Sequence, residues 1–123
     1  MIKIGILGSS GRVGSLLIDD LKNDTEAKVS CVHVFDNIEK VLPPDTVVTN
    51  DINVLFEQSD VIIDFSSPVA TEELLTAVIE GGKRKALVIA TTGLSKHQQN
   101  LLLEASKLVP ILYATNMSLG VAV

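Results

Sequence analysis

The chain opens on an apolar run that passes without a break into three evenly spaced glycines. Residues 2–7 read as a buried strand; Gly8, Gly11 and Gly14 follow three apart, and a helical pattern starts at once. Few folds accept that order. Gly8 lets the backbone turn sharply at the strand end, Gly11 admits a pyrophosphate without a Cβ in its way, and Gly14 lets the new helix lie close to its strand. The free N–H groups at the helix start, together with its dipole, then face the phosphates. Position 10 is Ser10, so the spacing differs from the common G-x-G-x-x-G. For the triplet taken alone, a plain glycine-rich turn is the alternative reading.

Strand and helix signals alternate along the rest of the chain. Val13, Leu16, Leu17 and Leu21 share one helical face, and residues 29–35 form a second, β-branched strand. Pro43 and Pro44 mark a loop, residues 46–49 a short third strand, 52–58 a short helix and 61–65 a fourth strand. Pro68 suits the first turn of a helix whose Leu74, Leu75, Val78 and Ile79 face the sheet, before Gly81 and Gly82 stop it. Residues 87–90 predict a fifth strand. Ser95 and Gln98 have the capping-box spacing for a helix that turns Leu101, Leu102 and Ala105 inward, and 109–113 is a sixth strand. The alternation predicts an α/β fold: a doubly wound parallel sheet of Rossmann type, in a single domain with right-handed crossovers. Hydrophobic residues make up 46 % of the chain and aromatic ones 3 %. A core of Val, Ile and Leu suits a parallel sheet covered on both faces.

Several classes are set aside on composition. A net charge of −5 argues against general affinity for nucleic-acid backbones, and no apolar stretch approaches a membrane span. Met1 runs straight into a strand, so no targeting segment is expected. Cys31 is the single cysteine, which excludes an internal disulfide. The expectation is a cytoplasmic protein with no nucleic-acid or membrane partner and no metal site.

Ligands of such a sheet bind beyond the carboxyl ends of its strands. The segments 8–13, 35–37, 65–68 and 90–93 converge there. Asp36, 22 residues beyond Gly14, stands where an acid accepts hydrogen bonds from the adenosine ribose; a loop carboxylate is the bland alternative. Asp64 suits capping of backbone groups at its strand end. Thr91 and Thr92 offer hydroxyls and N–H groups, or simply strand-end turn chemistry. His33 reads as a core or edge residue, His97 as a solvated one, and Cys31 as packing. Lys83, Arg84 and Lys85 read as a solvated turn, or as a contact to a neighbouring subunit. No catalytic acid or base is assigned. The apolar tail, residues 118–123, leaves two readings: a last element packing on this domain, or the approach to a second domain.

Four motifs in order carry a family resemblance: Gly8-Ser9-Ser10-Gly11-Arg12-Val13-Gly14, Asp64-Phe65-Ser66-Ser67-Pro68, Ala90-Thr91-Thr92-Gly93-Leu94, and Ala114-Thr115-Asn116-Met117-Ser118-Leu119-Gly120-Val121. Together they resemble the dihydrodipicolinate (4-hydroxy-tetrahydrodipicolinate) reductases of bacterial lysine and diaminopimelate synthesis. The resemblance implies a dinucleotide-binding domain over 1–115, with 116–123 starting the hinge into a substrate domain that is absent here. It implies that Gly8, Ser9, Ser10, Gly11, Arg12 and Val13 hold the pyrophosphate and that Asp36 holds the ribose. Phe65, Ala90, Thr91, Thr92, Ala114, Thr115, Asn116 and Met117 would serve the nicotinamide end. Ala90 replaces the family's usual glycine, and Asn37 stands where some members place an arginine suited to a 2′-phosphate. The implied cofactor is NADH or NADPH, with NADH favoured. The implied partners are a small dicarboxylate substrate and, in the full-length protein, further copies in a tetramer. This chain alone is expected to lack turnover. A stand-alone NAD(P)-binding or sensing module is the competing reading, and another two-domain dehydrogenase is a third.

Overall fold

Six parallel strands form one sheet in the order β3-β2-β1-β4-β5-β6. The computed structural model describes residues 2–8, 27–33 and 46–113. Within them run β1 (Ile2–Leu7), β2 (Ala27–His33), β3 (Val47–Thr49), α1 (Ile52–Glu57), β4 (Val61–Asp64), α2 (Pro68–Ile79), β5 (Ala86–Ile89), α3 (Lys96–Ser106) and β6 (Ile111–Tyr113). Strand order reverses at β1, whose neighbours are β2 on one side and β4 on the other. That reversal point is where an open α/β sheet leaves a crevice. The helix expected after the glycines lies outside the described residues, as do the expected end of the second strand and the loop at Pro43 and Pro44.

The strands form because their residues are apolar on both faces. Ile6, Leu7, Val32, Ile62, Leu87 and Ile89 are all but sealed from solvent, as expected of a sheet with helices on it. Leu55 and Phe56 of α1 complete the packing over β1, β2 and β3, while α2 and α3 lie side by side. Leu74, Leu75 and Val78 of α2 are fully buried, as their spacing predicts, whereas Ile79 and Leu101 are only half-buried.

Local chemistry fixes the element ends. Ser67 caps α2, accepting from the Ala70 N–H, and Pro68 takes the first turn, where its missing N–H costs nothing. Ser95 and Gln98 close both halves of the expected capping box on α3. At the sheet's other end Arg84 donates through Nη1 to the carbonyls of Val78 (2.8 Å) and Lys83 (3.2 Å), so the basic turn closes the end of α2. Asp60 and Lys3 bond reciprocally. The Asp60 N–H donates to the Lys3 carbonyl (2.7 Å), and the Lys3 N–H donates to Asp60 Oδ2 (2.9 Å). That backbone bond holds the Asp60 carboxyl below its ordinary range.

The β1–β2 register slips once, between Ile4 and Gly5, leaving Ser30 without a partner across the ladder. Its hydroxyl donates to the carbonyl of Gln58 beyond α1 and lies 3.5 Å from the Ile4 carbonyl of β1. Gly5 allows that crossing to be tight, because a Cβ there would stand 2.0 Å from Ser59 Oγ and 2.8 Å from Leu55 Cδ1.

Candidate functional site

The carboxyl ends of β1, β4 and β5 bring three of the expected segments together. Gly8 follows β1 with φ at +89°, a conformation that L side chains rarely adopt. Its N–H donates to the carbonyl of His33 at the end of β2 (3.3 Å), and Phe65, the residue after β4, donates its N–H to the Leu7 carbonyl (2.9 Å). The chain therefore leaves β1 squeezed between the ends of both neighbouring strands. A Cβ on Gly8 would come within 2.9 Å of the Phe65 and Ser66 backbone. The first glycine thus serves close packing as well as the turn.

Beside it, Phe65 and Ser66 are half-buried and Ser67 is exposed. After β5, Ala90 donates its N–H to the Asp64 carbonyl (2.9 Å), Thr91 is buried, and Thr92 and Gly93 are exposed. Gly93 turns through φ +78° with open space where a Cβ would sit. The exposed Thr92 and Gly93, rather than the buried Thr91 hydroxyl, are therefore what this loop can offer a ligand.

The Thr91 hydroxyl points inward. Asp64 is completely buried, and its Oδ1 accepts from the Ser66 N–H (2.8 Å), the Ser66 hydroxyl and the Thr91 hydroxyl (3.1 Å). Its Oδ2 lies 2.5 Å from Thr71 Oγ1, which is itself 2.8 Å from Thr91 Oγ1. Burial pushes the Asp64 carboxyl above its ordinary range, against the pull of these hydrogen bonds. The capping role expected for Asp64 is present at Ser66. Nothing in the spacing predicts Thr71 as its partner. The only trace in the sequence is a hydroxyl on the apolar face of α2, in line with Leu74, Leu75 and Val78.

A second tie joins the same loops. Gln98 Oε1 accepts from the Ser95 N–H (2.8 Å), while its Nε2 donates to the Pro68 carbonyl (3.2 Å) and to Glu72 Oε1 (3.3 Å). The start of α3 is thereby bonded to the start of α2. Of the other candidates, His33 and Cys31 are buried in β2 and His97 is exposed on α3. Ser9, Ser10, Gly11, Arg12, Val13, Asp36, Ala114, Thr115, Asn116 and Met117 lie outside the described residues. Two surface hollows, of about 490 and 300 Å³, are lined by none of these loop residues.

A strand–glycine turn at the reversal point, with the ends of β4 and β5 to one side of it, is the frame of a dinucleotide-binding domain. Residues 2–117 match the family described as dihydrodipicolinate reductase, N-terminus. The chain belongs to this family. Among curated relatives, a 4-hydroxy-tetrahydrodipicolinate reductase of Aliarcobacter butzleri (strain RM4018) is 76 % identical over 123 residues, all of this chain and 48 % of that protein. The same-named protein of a Nitratiruptor species is 56 % identical over 122 residues, 99 % of this chain and 47 % of that one. The chain thus spans about half the length of these reductases. In structure it is similar to a dipicolinate-bound dihydrodipicolinate reductase from Paenisporosarcina sp. TG-14, with a TM-score of 0.75 and 20 % identity over 94 % of this chain and 48 % of that one. At that identity the likeness shows the family's fold. Among the described residues no helix is long and apolar enough to cross a membrane.

Proposed function

We propose that this chain is the NAD(P)H-binding half of a reductase that converts 4-hydroxy-tetrahydrodipicolinate to tetrahydrodipicolinate. The observation that carries the reading is Gly8, left-handed at the end of β1 and wedged against the β4 loop, in a chain that matches the reductase family over residues 2–117. The residues present fit a dinucleotide. Gly8 starts the turn beside the crevice, and the exposed Thr92 and Gly93 follow β5, the next strand beyond β4 on that side of the sheet.

In this reading residues 8–13 hold the pyrophosphate, Asp36 the adenosine ribose, and Phe65, Ala90, Thr91 and Thr92, with residues 114–117, the nicotinamide end. When bound, the reduced nicotinamide supplies hydride to an imine carbon of the dehydrated substrate. The chain's own part is to orient that ring and to exclude water from it. Proton delivery and neutralisation of the two substrate carboxylates belong to sequence that the relatives carry beyond the matched half. Asp36 accepts ribose hydroxyls and repels a 2′-phosphate, so NADH binds at least as well as NADPH, with Arg12 offsetting part of the difference.

Calorimetric titration of the chain with each cofactor tests the reading. Both bind, Asp36→Ala narrows the gap between them, and Gly11→Val weakens both by blocking the pyrophosphate. Absence of binding by either cofactor refutes the reading, and a clear NADPH preference refutes the role of Asp36. Mixed with freshly generated hydroxytetrahydrodipicolinate, the 123-residue chain oxidises no NADH; substantial turnover would show that the proton donor lies within it.

A further inference from the structure

Asp64, Thr71 and Thr91 form a closed triangle of oxygen contacts. Asp64 Oδ2 lies 2.5 Å from Thr71 Oγ1, Thr71 Oγ1 lies 2.8 Å from Thr91 Oγ1, and Thr91 Oγ1 lies 3.1 Å from Asp64 Oδ1. Each hydroxyl carries one proton. Three contacts need three protons, and two threonines supply two. With an ionised carboxylate, one pair of oxygens would face each other lone pair to lone pair in the protein interior, where little screens them. Oδ1 already accepts the N–H and the hydroxyl of Ser66, so the free place for the third proton is Oδ2.

We propose that Asp64 is a positioning residue of the dinucleotide site and works as a neutral acid. Its Oδ2–H donates to Thr71, Thr71 donates to Thr91, and Thr91 donates back to Oδ1. The ring clamps the loop after β5, through Thr91, to the loop after β4, through Ser66. It thereby fixes the direction of the Thr92 and Gly93 backbone groups. This rests on the dinucleotide reading given above.

The surroundings agree with a neutral group. Among the described residues, the side chains that reach the carboxyl are Ser66, Thr71 and Thr91, all uncharged. Glu72, next to Thr71 on α2, bonds to Gln98 instead. Glu73 on α2 and Lys96 and His97 on α3 are exposed, and His33 lies on β2 with β1 between it and β4. Desolvation raises the carboxyl in the same direction.

Two measurements on the full chain decide the matter. In a carbon-13 titration, the Asp64 side-chain carboxyl, assigned by its loss in Asp64→Asn, keeps its protonated shift through the ordinary carboxylate range of about 3 to 5. Titration within that range overturns the neutral acid. In calorimetric titration with NADH, Asp64→Asn keeps most of the affinity, because its Nδ2–H replaces the acid's O–H and its Oδ1 still accepts. Asp64→Ala and Thr71→Val each lose about tenfold or more, since both open the ring. Affinity of the unaltered chain falls as pH rises and Asp64 ionises, while that of Asp64→Asn does not follow. A merely structural aspartate leaves the two pH profiles parallel, and that result, or unchanged affinity in Thr71→Val, overturns the positioning role. If Asp64→Ala does not fold, Thr71→Val carries the test. A chain that binds no cofactor at all refutes the dinucleotide reading and the positioning role with it, whereas full binding by the ring-opened variants refutes the positioning role alone.

Discussion

Gly8 rests its Cα against the backbone of Ser66, so closely that a Cβ would stand 2.9 Å from both the nitrogen and the Cα of Ser66. Two costs therefore meet at one position. A left-handed φ penalises any L residue, and the neighbour is main chain that cannot swing aside. Gly8→Ala is expected to destabilise the chain by at least about 2 kcal/mol. Urea unfolding checks it, and an unchanged midpoint would mean that the β4 loop yields freely.

Gly5 makes a similar contact inside the sheet. A Cβ there meets Ser59 Oγ at 2.0 Å and Ser59 Cβ at 2.9 Å, so Gly5→Ala is expected to cost about 1–3 kcal/mol through overpacking. Ser59 is fully buried, and its hydroxyl has no hydrogen-bond partner among the described residues. Ser59→Ala removes an unpaired polar group and is expected to leave stability unchanged or raise it by about 1 kcal/mol. A large loss in Ser59→Ala would show that the hydroxyl has found a partner.

Gln98 does what Glu cannot. Glu serves equally well in a capping box, but here the side-chain amide also donates to Pro68 and to Glu72. Gln98→Glu keeps the cap and sets a second carboxylate against Glu72. It is expected to lose about 1–2 kcal/mol through the lost donor and the new like-charge contact. Thermal unfolding beside Ser95→Ala, which loses the cap alone, separates the two effects.

Burial pushes the Cys31 thiol from 9.0 up to about 11. Unfolded, it ionises first as pH rises. Its contribution to stability is therefore whole below about 9 and is lost as pH climbs from there towards 11. Cys31→Ala should abolish that part of the alkaline decline while lowering stability at every pH through the cavity it leaves. Thiol reagents should label Cys31 only at the rate of unfolding, and rapid labelling of the native chain would contradict its burial.

What the sequence made legible was local. Strand and helix periodicity, Pro68 at a first helical turn and the Ser95–Gln98 box each depend on residues a few places apart, and each is present. Boundaries moved by one or two residues, as at β5 and β6, where the strand ends depend on a neighbour's ladder rather than on the residue itself. Contacts between distant residues left no mark. Thr71 and Thr91 are separated by 20 positions and from Asp64 by 7 and 27, and nothing in their spacing announces a shared carboxyl. Gly5 read as an ordinary strand residue because its reason is Ser59, which only the fold brings near. The capping-box spacing predicts one end of the Gln98 amide and says nothing of the other, which reaches Pro68 and Glu72.

The central place of β1 has a consequence for how the chain is made. It leaves the ribosome well before β4, one of its two ladder partners, and the Lys3–Asp60 bond spans 57 positions. Until Asp64 emerges, the backbone N–H and C=O groups along one edge of β1 have no ladder partner from β4. Such long-range parallel pairing is slow to form and prone to capture by other chains while it waits. The nascent strand thus spends that interval of synthesis with an unpaired edge open to wrong partners, and codon changes that slow elongation between residues 8 and 64 would prolong it.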